Sequence, residues 1–292
     1  MSLQRAALHA VLGEHAVAFK HDLGDDPRFS ADVLGPLAAT LPAAWIRAHE
    51  VQYDPHEPRG LCALPADADL ETAIRELSTS ASSIRIYNLE LTSEYRELAA
   101  QFEGVVRDLV GDDEGGMQAV NLGVFVASPA AVTPAHPDRH HNLLLQVSGR
   151  KEVWIEDDPD RRRRYLREVS YFACPQNGAP ELPPARSYIM EPGDGVYIPP
   201  YAYHWTTVLG DEPAGGLSVG FSTPVTIRSN DVHDWDVRVR RLGVRPRPAN
   251  PGSAREAVKL GLLAAAVRSA PARKRVKGWI PWYRPSRSGG QS

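Results

Sequence analysis

The segment Thr133-Pro134-Ala135-His136-Pro137-Asp138 sets a histidine and a carboxylate two residues apart. A second histidine closes Tyr197-Ile198-Pro199-Pro200-Tyr201-Ala202-Tyr203-His204 further along. Two imidazole nitrogens and one carboxylate oxygen are the ligand set of a facial triad, which holds a non-haem Fe(II) and leaves one face open for a cosubstrate and O2. A lone His-x-Asp recurs by chance, so the context carries the reading. A β-rich run beginning near Val120 leads into a proline-bounded turn at Thr133, and Pro199-Pro200 stiffens the approach to His204. The plainer reading makes His136 and His204 surface histidines and Asp138 a turn residue. His140 and His141 stand close enough to compete as ligands. The two-residue spacing favours His136 with Asp138, leaving one of the other histidines to line the site.

Lys151 is the next residue able to do chemistry. In Arg150–Glu156, period-two alternation puts Lys151, Val153 and Ile155 on one face and Arg150, Glu152, Trp154 and Glu156 on the other. A lysine that points inward with apolar neighbours needs an anion, and a small dicarboxylate would supply one. The alternative is a lysine that snorkels out at a strand end.

These residues need a scaffold. With 292 residues, 42% hydrophobic and 24% charged, the chain has the make-up of a soluble globular protein with one generous core. It has no apolar run of membrane-spanning length and no secretory signal layout at its start. Cys62 and Cys174 are too few for a disulfide framework, which points to a reducing, cytoplasmic setting. Charge is uneven: residues 229–292 hold 14 Lys/Arg against 4 Asp/Glu. Such a basic segment either recruits a partner or packs against an acidic body.

Residues 3–20 and 29–48 read as helices from their apolar spacing. From Ile84 onward come short β-rich runs: 84–91, 119–127, 143–147, 151–155, 187–190, 195–198, 204–208 and 217–221, with turn signals between them. That pattern predicts a mainly β sandwich or barrel braced by helices. Residues 157–186 interrupt it with a charge run, Arg161 to Arg164, and then Pro and Gly, the make-up of a lid or substrate loop or of a solvated helix start. Ser253-Ala254-Arg255-Glu256 is a capping box opening a helix whose stripe of Val258, Leu262 and Leu263 must be covered by the body or by a second subunit.

The segment TPAHPDRHHNLLLQVSGRKEVWI, followed by EPGDGVYIPPYAYHW, resembles the Jumonji-C-type cupin dioxygenases. The nearest pattern is the cupin-like branch that contains the asparaginyl hydroxylase of hypoxia-inducible factor. The shared positions are Thr133, His136, Asp138, Asn142, Lys151, the Gly193-Asp194 to Pro199 run and His204, and the match covers roughly residues 84–224. The resemblance implies a double-stranded β-helix (jelly roll) with flanking helices, Fe(II) held by His136, Asp138 and His204, and 2-oxoglutarate and O2 as cosubstrates. It places Lys151, Thr133 and Tyr87 at the distal carboxylate of 2-oxoglutarate and Asn142 near the metal. The chain departs from the pattern at Gly220, where the hydroxylase has Asn; with Ser218 and Ser222 it makes a small-residue face, implying more room near the iron.

The expected organisation is a mixed flank over residues 1–83, a catalytic core over 84–228 and a helical segment with a basic tail over 229–292. Three function classes follow. The first is an oxygenase hydroxylating a side chain of a protein or peptide, and the second is the same chemistry on a small metabolite. The third is a cupin that binds metal without 2-oxoglutarate, against which Lys151 and Thr133 both count. The related hydroxylase pairs through C-terminal helices, so a homodimer is expected here. Neither a membrane nor a nucleic acid is an expected partner.

Overall fold

The computed structural model describes residues 12–57, 64, 68–79, 81–111, 115–174, 177, 179, 181–249 and 252–269. Two antiparallel sheets face each other. The larger is built from β1 (Val17–Lys20), β2 (Ile46–Glu50), β3 (Ser82–Ile86), β4 (Ala119–Ala127), β6 (His141–Ser148), β9 (Asp194–Ile198) and β11 (Ala214–Ser222), in the order β1-β9-β6-β11-β4-β3-β2. The smaller holds β5 (Val132–Pro137), β7 (Arg150–Glu156), β8 (Ala185–Met190) and β10 (Tyr203–Leu209), in the order β5-β10-β7-β8. Successive strands cross between the sheets, as in a jelly roll.

Alternation sorts the larger sheet into two faces. Val120, Leu122, Val124, Leu143, Leu145, Leu217, Val219 and Phe221 point outward, where α1 (Ala31–Thr40), α2 (Leu70–Arg75) and α3 (Arg96–Val110) seal them into the main core. α3 buries Leu98, Phe102, Val106 and Leu109, a stripe at three- and four-residue spacing, and stops at Gly111, whose φ of 60° suits a residue without Cβ. The inward faces carry a smaller apolar cluster of Leu144, Val153, Ile155, Val196 and Ile198 and most of the polar residues singled out above.

Several sequence expectations need correction. Residues 17–20 form a strand rather than the end of a helix, and residues 3–11 lie outside the described residues. The helix expected over 29–48 ends at Thr40, because Leu41 precedes Pro42 and is held extended; residues 46–50 are strand β2. The run expected over 84–91 leaves the sheet after Ile86, where Asn88 turns left-handed at φ 59° into a short 3-10 turn. The 1–83 flank therefore contributes two strands to the larger sheet.

Within residues 157–186 the charge run starts a helix, the second of the two readings the sequence offers. Asp160 caps α4 (Arg161–Ala173) by accepting from the Arg162 and Arg163 amides. Tyr171, Leu182 and Ala185 then pack on the outer face of the smaller sheet beside Tyr203 and Trp205. There Trp154 and Trp205 stack at 5.9 Å. Next come α5 (Pro224–Arg241) and α6 (Ala254–Ser269). One half of the capping box forms, with Ser253 Oγ accepting from the Glu256 amide at 3.2 Å; the Glu256 carboxylate accepts from the Gly252 amide at 2.6 Å instead and pairs with Arg228 at 2.7 Å. Residues 270–292, with the basic stretch Arg273–Lys277, lie outside the described residues. Among the described residues no helix is long and apolar enough to cross a membrane.

Candidate metal centre and anion pocket

β5 is an edge strand, which is why it tolerates Pro134 and Pro137. Its register sets His136 directly opposite His204 of β10. Between that pair and Thr133 opposite Thr206, two residues of β5, Pro134 and Ala135, lie against one of β10, Trp205. This bulge shifts the alternation, so that Thr133 and His136 share the inward face. The sequence alone reads the segment as a turn; the structure makes it a kinked strand.

The ligand atoms of His136, Asp138 and His204 lie within 4.8 Å of one another. His136 donates from Nδ1 to the Pro134 carbonyl at 2.7 Å, and His204 from Nδ1 to the Ala202 carbonyl at 3.0 Å. Each bond fixes the tautomer with its lone pair on Nε2, the state a metal ligand requires. The Asp138 Oδ2 lies 3.6 Å from the His204 Nε2. Its backbone is held as well, because the Tyr201 amide donates to the Asp138 carbonyl at 2.6 Å. Tyr201 takes a left-handed φ of 65°, stacks on His233 at 4.8 Å and hydrogen-bonds Asn230. A strained tyrosine anchored at both ring and hydroxyl thus pins the Pro199–Ala202 turn against the aspartate. Two imidazoles and one carboxylate with preset tautomers fit a divalent metal such as Fe(II).

Below this row the inward side chains form two further rows. The middle row has Thr133, Thr206 and Val153 on the smaller sheet and Leu144, Ser218 and Gly123 on the larger, with the Tyr87 ring 3.4 Å from where a Gly123 Cβ would sit. The lowest row has Val208 and Lys151 facing Gln146, Gly216, Phe125 and Arg85. Lys151 spans the barrel: its Nζ lies 3.7 Å from where a Cβ on Gly216 would stand. It is 6% exposed and makes no hydrogen bond or ion pair among the described residues. Burial, with the charge of Arg85 close by, pulls its ammonium down to about 8. A buried cation beside another cation favours an anion between them.

Asn142 sits in the metal row, where its Oδ1 accepts from Ser218 Oγ at 2.8 Å. His141 is no ligand. It hydrogen-bonds Tyr197 at 2.7 Å and Thr226 at 2.9 Å and stacks on Phe221 at 4.7 Å, and burial holds its imidazole down to about 3. His140 takes the other role, lining the site. A Cβ on Gly220 would meet its ring at 2.9 Å, so the room expected from the small-residue face is already filled by imidazole. Sequence reasoning passed over Arg85, although alternation in Ile84-Arg85-Ile86-Tyr87 puts it on the same face as Tyr87.

Over residues 67–221 the sequence matches the family described as the cupin-like domain. The chain belongs to the cupin-like domain family. Two relatives are Jumonji C domain-containing protein 5 of Drosophila melanogaster, 27% identical over 148 residues, and lysine-specific demethylase JMJ30 of Arabidopsis thaliana, 30% identical over 118 residues. The alignments take in 45% and 37% of this cupin-like chain but only 36% and 27% of those proteins. Among solved structures, YcfD of Escherichia coli superposes with a TM-score of 0.51 at 19% identity, covering 92% of this chain and 69% of that one. YcfD, a ribosomal oxygenase, in complex with cobalt and 2-oxoglutarate gives a TM-score of 0.50 at 17% identity, over 93% and 68% of the two chains. At these identities the likeness shows the fold, a cupin-like double sheet with flanking helices.

Proposed function

We propose that this chain is an Fe(II)- and 2-oxoglutarate-dependent oxygenase that hydroxylates a side chain of a protein or peptide. The observation that carries the reading is Lys151: a buried ammonium with no anionic partner, on the inward face two rows below an open-faced His-Asp-His set. His136, Asp138 and His204 would hold Fe(II), which with bound 2-oxoglutarate and O2 yields succinate, CO2 and a hydroxylated substrate. Lys151 pairs with the distal carboxylate and thereby sets which end of the dicarboxylate reaches the metal. The Thr133 and Tyr87 hydroxyls, one row nearer the metal, complete its hydrogen bonds. Asn142, fixed by Ser218, borders the metal row, and the His140 ring closes the wall above Gly220 and limits water there.

The names of two relatives, a lysine-specific demethylase and a ribosomal oxygenase, support a protein substrate. The small-metabolite alternative loses its main support, since His140 occupies the space that Gly220 was expected to leave. A homodimer through α6 is part of the proposal, because Val258 and Leu262 are 59% and 44% exposed there; light scattering that finds only monomer at micromolar concentration removes it. So is a cytoplasmic setting, in keeping with the free thiol of Cys174. The deciding experiment incubates the protein with Fe(II), ascorbate, 2-oxoglutarate and peptide libraries, and follows succinate and a mass gain of one oxygen. Succinate formation that depends on His136, His204 and Lys151 is expected. Its absence in air-saturated buffer, after Fe(II) has been loaded anaerobically, refutes the reading.

A further inference from the structure

Arg85 lies 5% exposed on β3, between Ile84 and Ile86, both of which point into the main core. Its register partner on β4 is Phe125, and Phe125 in turn faces Gly216 on β11. Directly opposed residues in antiparallel strands share a face. Arg85, Phe125 and Gly216 therefore line the barrel interior in one row, and this is the row into which Lys151 reaches from the other sheet. Two strand spacings, about 10 Å, separate the Arg85 backbone from that of Gly216. An extended arginine covers most of that distance, and its guanidinium carbon stands 6.0 Å from the Phe125 ring centroid. Among the described residues, Arg85 is the charged group whose field adds to the burial of the Lys151 ammonium. Tyr87, two residues along on the same face, meets the edge of Phe125 at 5.9 Å.

We propose that Arg85 and Lys151 form a two-cation cradle at the closed end of the barrel, so that Arg85 is a second, specificity-determining residue for the distal carboxylate of the cosubstrate. The inference rests on the oxygenase reading above. An ammonium supplies a point charge and a guanidinium a planar fork, and together they satisfy both oxygens of one carboxylate. Phe125, on β4 between β3 with Arg85 and β11 with Gly216, gives the pocket an apolar floor that excludes water. Such a cradle selects 2-oxo dicarboxylates over 2-oxo monocarboxylates: a ligand without the far carboxylate leaves the Lys151 ammonium buried without a counter-charge. Tyr87 and Thr133, one row nearer the metal, are too few and too neutral to impose that selection.

The test measures binding by calorimetry to the full chain loaded with Mn(II) in place of iron, which separates affinity from turnover. The probes are 2-oxoglutarate and 2-oxopentanoate, which differ only in the distal carboxylate. Arg85→Gln is expected to weaken 2-oxoglutarate by about tenfold to 150-fold and to leave 2-oxopentanoate within about threefold. Arg85→Lys, which keeps the charge but not the fork, is expected to fall between the two, and it serves as the test should Arg85→Gln fail to fold. Equal losses for both probes would mean that Arg85 only shapes the barrel, and unchanged 2-oxoglutarate affinity would mean that it faces no ligand; either overturns the inference. Lys151→Ala separates the levels. If it loses 2-oxoglutarate while Arg85→Gln does not, the oxygenase reading stands and the cradle falls. If neither variant loses it, the oxygenase reading falls as well.

Discussion

Two regions of the molecule bury charge, and they do so in opposite ways. Beneath the helices, α4, α5 and α6 enclose a network in which every buried charge meets its opposite. Lys259 pairs with Asp236, which also accepts from Tyr165. Arg167 pairs with Glu156 and with Asp158 at 3.1 Å, and Arg139 pairs with Asp234 while lying 4.4 Å from the centre of the Phe172 ring. Glu168 and His233, 3.8 Å apart, are both held neutral there: burial raises the Glu168 carboxyl to about 8 and lowers the His233 imidazole to about 3. At the closed end of the barrel the neighbour of Lys151 is another cation. A network that balances itself is architecture, whereas an imbalance kept under cover is a demand for something from outside.

The largest effect expected is at the metal row. His136→Ala and His204→Ala should each reduce bound Fe(II) and succinate formation to background with little change in thermal stability, because the hydrogen bonds that orient the two imidazoles run to carbonyls just two residues back. Elemental analysis beside differential scanning calorimetry checks both halves. Metal content surviving in both variants would discard the triad.

Removing one lysine from each region pits them directly against each other. Lys259→Ala leaves Asp236 buried without its cation and should destabilise the fold by about 3–5 kcal/mol in denaturant titration, with 2-oxoglutarate affinity nearly intact. Lys151→Ala should do the reverse: apo stability holds or rises, and affinity falls by about 10- to 150-fold. If both variants lose stability to the same degree, the distinction between the regions collapses.

pH sharpens the same contrast. The folded protein keeps a proton on Glu168 up to about 8, against 4.5 when exposed, so stability falls as pH rises through that window. Lys151 gives up its proton at about 8 in the folded state against 10.5 when exposed, so stability rises from there upward. The apo protein should therefore show a shallow stability minimum near pH 8. Glu168→Gln should remove the falling limb and Lys151→Met the rising one. Above that pH the affinity for 2-oxoglutarate should drop by up to about tenfold per unit, with proton uptake on binding visible in buffers of different ionisation enthalpy.

The smallest effect concerns the wall of the site. Gly220→Asn should cost about 1–3 kcal/mol through collision with the His140 ring, and adding His140→Ala should recover most of it. Simple addition of the two losses in chemical denaturation would show that the pair does not share the space.

Most of the double sheet was readable because its strands alternate cleanly. Lys151, Val153 and Ile155 point inward as alternation demands, and the strands expected from residue 119 onward lie within a few residues of their expected bounds. What sequence could not supply is partnership. β1 and β2 are short and join the larger sheet only through β9 and β3, so nothing local distinguishes them from helix. The bulge that swings Thr133 onto the side of His136 exists only against β10. His140 and His141 are adjacent and alike in sequence; one is spent on Tyr197 and Thr226, the other lies over Gly220, and only the tertiary fold separates them.

The two prolines of β5 have a consequence for how the barrel meets other chains. An extended peptide docks on a sheet by borrowing amide donors from its outermost strand, and β5 has surrendered two of its own. The opposite border, β8, keeps its donors and shows Ile189 to solvent at 60% exposure. Strand addition, whether by a guest sequence or by a sister molecule in a crowded solution, is thereby steered to the rim remote from the metal. On the rim that carries His136, the Val132 and Ala135 amides already donate to the Gln52 and Pro55 carbonyls, so a guest strand finds neither on offer.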